Sequence, residues 1–279
     1  MGRPVGGGEA EPVTGSAGRA LPVLFTAHGN PLNALPGTPF GRFLGEWGRT
    51  LPRPTAVLCV SAHWETPGLA VTAGELPPTL HDFWGFPEEL YRLRYPAPGT
   101  PALAARVGQL LGGAGFPCGL DASRGFDHGA WAPLRHLFPE ADVPVVQLSL
   151  PEDLPLASLL DVGAALAPLR AEGVLLLGSG NLVHNLALAD FPHREAPVPE
   201  WAGAFDAWVR DRLLARDSAA LAAPWEAGPS GRLAHPTLEH YAPLLVCCGA
   251  ADGAAEAVFP YEAFEHGTVG MRCVAMGLT

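Results

Sequence analysis

Three stretches of the chain share one pattern: LPVLFTAHG (residues 21–29), VLCVSAHW (residues 57–64) and VLLLGSGNLVH (residues 174–184). Each is a run of apolar, often β-branched residues that leads to a histidine just past its end. Such runs are typical of strands buried on both faces of a parallel sheet. Because the carboxyl ends of parallel strands share one edge of a sheet, we expect His28, His63 and His184 to lie close together. Neutral imidazole binds zinc and iron well, so the pattern predicts a metal site at this edge.

Further apolar segments alternate with helical periodicity along the rest of the chain. The pattern predicts more strands at residues 69–72, 143–150 and 269–276, and helices at residues 40–50, 101–112, 154–172, 201–215 and 243–249. This alternation favours a single α/β domain with a mostly parallel, or mixed, central sheet flanked by helices. The metal site would then lie at the carboxyl ends of the strands. Residues 77–99 are rich in proline and aromatic residues, which predicts a long loop with little regular structure.

Composition limits the classes of partner. The 279-residue chain is 48% hydrophobic and 16% charged, which is enough apolar material for one sizeable core. Its formal net charge is −11 and its basic residues are all arginines, which argues against a nucleic-acid binder. The apolar runs are too short and too interrupted to span a bilayer. We therefore predict no nucleic-acid or membrane partner, and the oligomeric state stays open.

The ends of the domain and its cysteines give further expectations. Residues 1–20 are rich in glycine and lack periodicity, which predicts a disordered N-terminal extension before a domain at residues 21–279. The N-terminus has no apolar segment of a secretory signal, so we predict a cytoplasmic location. None of the five cysteines forms a CxxC pair, and buried reduced thiols are favoured over a disulfide or a thiolate ligand.

Three other histidines have neighbours that suit a functional site. His128 lies in FDHGAW, within a predicted turn-rich loop over residues 123–131. His235 and His240 occur in HPTLEHY, where a helix that begins at Pro236 or Thr237 would contain His240 in its first turn. A helix start disfavours positive charge, so a neutral, metal-binding imidazole suits that position. Five residues separate the two histidines, so they do not share a helical face, and we expect only one to be a ligand.

Several common signatures are missing from the sequence. The GSGN turn at residues 178–181 matches neither GxGxxG nor GxxxxGK[ST], which argues against nucleotide binding. The nucleophile motifs GxSxG and SxxK and the zinc-protease motif HExxH are also absent.

Taken together, several motifs resemble one family, the class III extradiol ring-cleaving dioxygenases, and more closely its 4,5-DOPA dioxygenase-like branch in bacteria and plants. The strings that carry the resemblance appear in the family's order: TAHGNPLNAL (26–35), SAHWET (61–66), HDFWGFPEELYRLRYPAPG (81–99), GFDHGAWAPLRHLFPEADVPVVQLSL (125–150), GSGNLVHNL (178–186) and HPTLEHYAPLL (235–245). The resemblance implies an enzyme that opens the ring of a catechol, such as a DOPA-like compound, with O2.

The resemblance also assigns roles to individual residues. His28, His63 and His240 match the ligands of one non-haem divalent metal per chain. His184 matches the catalytic histidine, which also approaches or binds the metal, and His128 matches a histidine that holds oxygen or substrate. Histidine at position 240 departs from the two-histidine, one-glutamate set of the wider superfamily. Fe(II) is expected for activity, and an all-histidine set accepts Zn(II) as readily.

The aromatic residues suggest where a flat substrate would bind. Trp84, in FWGF (residues 83–86), and Trp131 could line an apolar slot, although ordinary packing explains them equally well. His235 is a further candidate for substrate contact. Arg92 or Arg94 could pair with a substrate carboxylate, but a surface role is favoured for each.

Two other functions fit the same histidines. One is a zinc hydrolase that uses a metal-bound water. The other is a non-catalytic, metal-binding interaction protein of the same fold.

Overall fold

The apolar, β-branched runs form the centre of one sheet, as their composition predicts. The structure, a computed structural model, describes residues 20–251, 253 and 255–278. In chain order, the strands of this part are β1 (Val23–Ala27), β2 (Ala56–Thr66), β3 (Leu69–Thr72), β4 (Cys118–Asp121), β5 (Val145–Pro151), β6 (Val174–Gly180), β7 (Ala257–Tyr261), β8 (Phe264–Glu265), β9 (Val269–Gly270) and β10 (Cys273–Met276).

The parallel centre of the sheet carries the strands whose ends hold the histidines. The strand order within the described residues is β4-β3-β5-β2-β6-β1-β10-β7. Strands β5, β2, β6 and β1 are mutually parallel. Strand β3 is antiparallel to β5, and β10 is antiparallel to both β1 and β7. The sheet is therefore mixed, with a parallel centre, and β8 and β9 form a separate hairpin.

Helices cover both faces of the sheet, which confirms the predicted α/β architecture. They are α1 (Pro39–Thr50), α2 (Glu88–Arg92), α3 (Pro101–Gly113), α4 (His128–Leu137), α5 (Ser158–Leu166), α6 (Glu200–Ala215), α7 (Ser218–Leu221), α8 (Pro229–Ala234) and α9 (Ala242–Ala250). One core cluster includes residues of α3, α5, α6 and α9, and the other includes residues of α1 and α4. The sheet is thus buried on both faces, which explains the near-continuous apolar runs of its central strands.

Two predicted boundaries near the site are wrong. The loop predicted over residues 123–131 ends early, because Asp127 caps α4 by accepting a hydrogen bond from the Ala130 N–H at 3.1 Å. His128 is therefore the first residue of a helix. The turn predicted at residues 178–181 is mostly strand, since β6 pairs with β1 as far as Gly180.

Other differences lie farther from the site. The single strand predicted at residues 269–276 is divided into β9 and β10. The helix predicted at residues 154–172 is shorter, because α5 gives way to a 3-10 turn that contains Pro168. Strands β4 and β7 were not predicted, and both are short, only partly buried edge strands with weak apolar patterns.

The remaining expectations concern the termini, the cysteines and membranes. The segment predicted to be disordered lies outside the described residues, apart from exposed Ala20. All five cysteines are free thiols, and Cys59, Cys247 and Cys273 are buried. In the described part of the chain, no helix combines the length and the apolarity needed to cross a bilayer.

Candidate metal centre

His28 is fixed at the end of β1 by the neighbouring strand β6. Its backbone N–H donates to the Gly180 carbonyl at 3.1 Å, and its Nδ1 lies 3.1 Å from the Ser179 hydroxyl. Gly29 then turns the chain with a φ of +58°, and a Cβ atom there would lie 2.6 Å from the Met271 sulfur. This turn therefore requires glycine. Because Nδ1 of His28 is engaged, its Nε2 is the nitrogen free for a ligand.

His63 approaches His28 from strand β2, which is separated from β1 by β6. Its position in the strand differs from the expectation. It lies inside β2 rather than past its end, because β2 continues to Thr66. The regular pairing of β2 with β5 is interrupted between Val60 and Glu65, so His63 projects from an irregular part of the strand. The Nε2 atoms of His63 and His28 are 3.0 Å apart. Ligands of a tetrahedral zinc ion are separated by a similar distance, roughly 3.3 Å for bonds of about 2.0 Å.

His240 reaches the same point from the turn before α9. Its carbonyl accepts a hydrogen bond from the Asn181 N–H at 2.9 Å, and a Cβ atom on Gly180 would lie 2.1 Å from that carbonyl. The close approach of the turn to β6 therefore requires glycine at position 180. The helix begins only at Ala242, so the predicted location of His240 in a first helical turn is wrong. Its Nδ1 lies 2.9 Å from a Glu239 carboxylate oxygen, which leaves Nε2 free.

The three imidazoles form a nearly equilateral triangle. Ring centroids are 4.8 Å apart for His28 and His63, 5.2 Å for His28 and His240, and 4.9 Å for His63 and His240. Burial, with help from the neighbouring imidazoles, lowers the pKa of all three well below the usual range. The rings are therefore neutral near pH 7, and neutral imidazole is the form that binds a metal. This donor set suits one divalent ion.

His184 lies against this triangle. Its ring stacks on that of His240 with a centroid distance of 3.5 Å and an angle of 11°. Its backbone N–H donates to the Ala234 carbonyl at 3.0 Å, and the residue forms a bridge with Val269. Burial lowers the pKa of His184 to about 4. The imidazole is therefore neutral near pH 7 and able to accept a proton.

The His128 ring lies beside that of His63, with ring centroids 4.0 Å apart. Asp82 holds it twice: one carboxylate oxygen accepts from the His128 backbone N–H at 2.8 Å, and the other lies 3.0 Å from Nδ1. Partial burial would raise the pKa of Asp82, but these hydrogen bonds and the nearby histidines lower it overall. An ionised Asp82 fixes Nδ1 of His128 as the donor and turns Nε2 away from the carboxylate.

A buried network joins the strand that carries His63 to the helix that carries His128. The Asp127 carboxylate accepts from the Ser61 hydroxyl at 2.7 Å and also from the Gln147 side-chain amide. Burial raises the pKa of Asp127 despite these bonds. Because Asp127 also caps α4, one side chain sets the relative position of the strand and the helix.

The histidines lie at the base of a pocket of about 250 Å³. This volume is just below the range of roughly 300–1,000 Å³ that is typical of drug-sized ligands, so it suits a single aromatic ring. Its walls are mainly apolar and come from the 82–86 segment, the 186–191 segment and Val269. Phe83 packs edge-on against His128 at 5.5 Å, and Trp84 at the mouth is 86% exposed.

Comparison with known proteins identifies the family. Residues 39–275 match the family model described as the catalytic LigB subunit of aromatic ring-opening dioxygenase. The chain belongs to this family. The predicted family and the predicted enzyme class, an extradiol ring-cleaving dioxygenase, are both confirmed. Membership also implies a non-haem metal. Two groups of possible ligands agree with this: the ligand atoms of His28, His63 and His128 lie within 4.8 Å of one another, and so do those of His184, Glu239 and His240.

Individual relatives of this LigB-family chain agree along most of its length. A 4,5-DOPA dioxygenase extradiol of Escherichia coli (strain K12) is 44% identical, covering 92% of this chain and 95% of the relative. A 4,5-DOPA dioxygenase extradiol of Portulaca grandiflora is 42% identical, with coverages of 88% and 92%. The crystal structure of an uncharacterized protein from Escherichia coli K12 matches with a TM-score of 0.79 at 40% identity, covering 92% of this chain and all of that one.

Most of the site residues predicted for this LigB-family chain come together, but two do not reach the pocket. Trp131 is fully buried, and its indole N–H donates to the Leu80 carbonyl at 2.7 Å. It therefore packs behind Phe83 in the core instead of lining the slot. His235 is also fully buried, and its Nε2 donates to the Leu182 carbonyl at 2.8 Å. The predicted substrate contacts of Trp131 and His235 are corrected to structural roles.

The two arginines near the 82–86 segment, Arg92 and Arg94, bind groups of the protein itself. Arg92 pairs with Glu88 on the surface at 2.6 Å. Arg94 donates to the carbonyls of Tyr91 and Leu93, each at 2.7 Å. These contacts favour a surface role for both arginines, as predicted.

Sequence reasoning missed two titratable residues of the pocket, Asp82 and His266. Asp82 directly precedes the aromatic FWGF segment, but nothing in the sequence indicates that it would face a histidine 46 positions later. His266 sits in the turn between β8 and β9 with a φ of +54°. Its neighbour Gly267 was the available signal, because it marks a tight turn.

Proposed function

We propose that the chain opens the ring of a DOPA-like catechol with O2, using one divalent metal held by His28, His63 and His240. A single observation carries the proposal: these three imidazoles, of which His28 and His240 are buried and His63 is half-buried, converge at the base of a pocket with the volume of one aromatic ring. The DOPA-like substrate rests on the names of the relatives, two of which are called 4,5-DOPA dioxygenase extradiol.

The surroundings of His28 and His240 support a role as ligands. The Nδ1 atom of His28 is engaged by Ser179, and that of His240 by Glu239. Metal-binding histidines almost always use their second nitrogen in this way, which orients the ring and fixes the tautomer. Both rings then offer Nε2, as His63 does toward His28.

The metal supplies the part of the chemistry that amino acids lack. When bound, a divalent ion would lower the pKa of a catechol hydroxyl. As Fe(II), it would also mediate electron transfer from the catechol to O2. Three histidines also form the ligand set of catalytic zinc sites, so we infer that Zn(II) binds here without supporting ring opening.

His184 is the general base in this proposal. Because its pKa is lowered to about 4, it is neutral near pH 7 and can take a proton from a catechol hydroxyl. Its ring lies directly on that of His240, so the accepting nitrogen is next to the metal ligands. The same imidazole, once protonated, can return the proton to an oxygen atom of the substrate.

His128 and Asp82 act as a second pair. The Asp82 carboxylate lies 3.0 Å from Nδ1 of His128 and holds the ring so that Nε2 points away from the carboxylate. Phe83 covers the His128 ring and excludes water from it. Phe86 and Trp84 complete an apolar wall on which a flat ring can stack.

Anaerobic reconstitution with Fe(II) tests the proposal. The protein is loaded without oxygen, mixed with L-DOPA, and then exposed to O2 while oxygen uptake and the yellow ring-opened product are followed. We expect one O2 consumed for each ring opened. A zinc hydrolase would be indifferent to O2, and a non-catalytic metal-binding protein would consume none, so either result contradicts the proposal.

We also propose the partners of the enzyme and its location in the cell. We infer that its partners are a small catechol and O2, and that it acts in the cytoplasm without nucleic acid or membrane. The acidic composition supports this, since a net charge of −11 repels both nucleic acid and anionic lipid. Fractionation of the producing cells would test the location.

A further inference from the structure

His266 has an unusual backbone conformation at the mouth of the pocket. Three described residues other than glycine have positive φ: Ala141, Arg216 and His266. Of these three, His266 lines the pocket. The left-handed conformation is disfavoured for a residue with a bulky side chain, and such outliers cluster at ligand sites. The combination of conformation and location points to a role in binding.

The hydrogen bonds of His266 define which ring nitrogen remains for a ligand. Its backbone N–H donates to the Arg194 carbonyl at 2.8 Å, which fixes the turn. Its Nδ1 lies 3.3 Å from the Asp190 carbonyl oxygen. A carbonyl can only accept, so Nδ1 carries the hydrogen, and in that tautomer Nε2 is an acceptor. The ring of Phe191 lies 5.4 Å away and supports the imidazole.

The charges around the pocket favour a cationic partner for this acceptor. The described residues that line the pocket include the Asp82 carboxylate and no arginine, and the chain has no lysine. The arginine that holds the turn, Arg194, donates its side chain to Asn33 at 2.8 Å and to Glu265 at 2.5 Å. A substrate carboxylate would therefore find no free cation in this wall, whereas an ammonium group would find an acceptor.

We propose that His266 selects catechols whose side chain carries an ammonium group, by accepting a hydrogen bond at Nε2. The proposal rests on the proposed function, because it assumes that the catechol ring lies at the histidine triangle. His266 is then a specificity residue at the mouth, and it takes no part in ring opening.

The test uses a pair of substitutions at one position. His266→Asn retains an amide N–H for the Asp190 carbonyl and tolerates positive φ, but it removes the outer acceptor. His266→Gln retains an acceptor near the position of Nε2. Arg216→Asn is the matched control, because it makes the same kind of change at another residue with positive φ that does not line the pocket.

Binding is measured by calorimetry on the Zn(II)-loaded protein, so that no turnover is required. The probes are dopamine, which carries an ammonium group, 3-(3,4-dihydroxyphenyl)propionate, which carries a carboxylate, and 4-methylcatechol, which carries neither. We expect His266→Asn to weaken dopamine binding about tenfold and to change the other two less than about twofold. His266→Gln should stay within about threefold of the parent for dopamine, and Arg216→Asn should change nothing.

Three results would overturn the proposal: no change in dopamine binding, an equal change for all three probes, or a larger change for the propionate. Should His266→Asn unfold, a lowered melting temperature would reveal it, and His266→Gly, which tolerates positive φ and also lacks the acceptor, then takes its place. The Fe(II)-loaded enzyme gives an independent readout, with KM for dopamine raised in His266→Asn and kcat unchanged. Failure of ring opening in the parent protein would leave the Zn(II) binding pattern intact, so the two proposals fail separately.

Discussion

The base and the mouth of the pocket are built in different ways. At the base, His28 and His240 are only 4% and 6% exposed, and each is fixed through its Nδ1 atom by a neighbouring side chain. At the mouth, Trp84 and Phe191 are 86% and 51% exposed and lie on connecting segments. His28 follows a central strand and His240 lies in a turn packed against β6, so neither can move without disrupting the core. The residues that carry the chemistry are therefore held rigidly. The residues that meet the variable part of a substrate can be substituted without disturbing the core.

Removal of a ligand from the base should have the largest effect. His63→Ala takes away one corner of the triangle, so we expect metal content to fall below about 0.1 ion per chain and ring opening to be lost. Metal analysis of the purified variant checks this, with His193→Ala as the control, because the His193 side chain is exposed and its Nδ1 lies 3.0 Å from the Asp190 carboxylate. Stoichiometric metal in His63→Ala would remove His63 from the ligand set.

Removal of the proposed base should separate metal binding from chemistry. In His184→Ala, we expect most of the metal to remain, because the triangle is intact, while kcat falls by about 10²–10⁴-fold. Oxygen uptake and metal content are measured on the same sample. Normal turnover of a catechol by this variant would end the assignment of His184 as the base.

The buried histidines should also make the metal-free protein sensitive to acid. Burial lowers the pKa of His184 and of His235 to about 4, from an ordinary value of 6.5. Between these values the unfolded chain binds more protons than the folded chain, so the free energy of unfolding rises with pH. In chelator, we expect a lower melting temperature at pH 5 than at pH 7.5, and a smaller difference in His184→Ala. An equal or higher melting temperature at pH 5 would contradict the assigned burial.

A change at the mouth should have the smallest effect. Trp84→Ala removes an exposed ring, so we expect KM for a catechol to rise by only about two- to fivefold, with kcat, metal content and melting temperature unchanged. Steady-state kinetics on the Fe(II)-loaded variant measures this. A large loss of kcat would show that the base and the mouth are not independent.

The sequence predicted the parts of the fold that depend on burial. The runs at residues 21–29, 57–64 and 174–184 are apolar because β1, β2 and β6 lie in the centre of a covered sheet. Edge strands β4 and β7 are short and half exposed, so their sequences carry little periodic signal. The antiparallel β10 was indistinguishable from a parallel strand, because direction depends on pairing partners.

For the site, strand-end histidines were predictable and contacts between distant segments were not. His28, His63 and His184 came from the strand pattern, and the roles of His240 and His128 came from resemblance to a family. Trp131 shows the limit of such predictions, because the sequence does not distinguish an aromatic residue in the core from one that lines a substrate slot. Asp82 and His266 were missed, since their roles arise from tertiary contacts with His128 and with the 190–194 segment.

A crystal structure of the Fe(II)- or Zn(II)-loaded protein, with anomalous diffraction at the metal absorption edge, tests the shared metal site directly. We expect one anomalous peak, about 2.0–2.2 Å from Nε2 of His28, His63 and His240, with His184 and His128 facing the same pocket. A peak at another location, or a peak bonded to fewer than two of these three nitrogens, would contradict the assignment of the triangle as the metal centre.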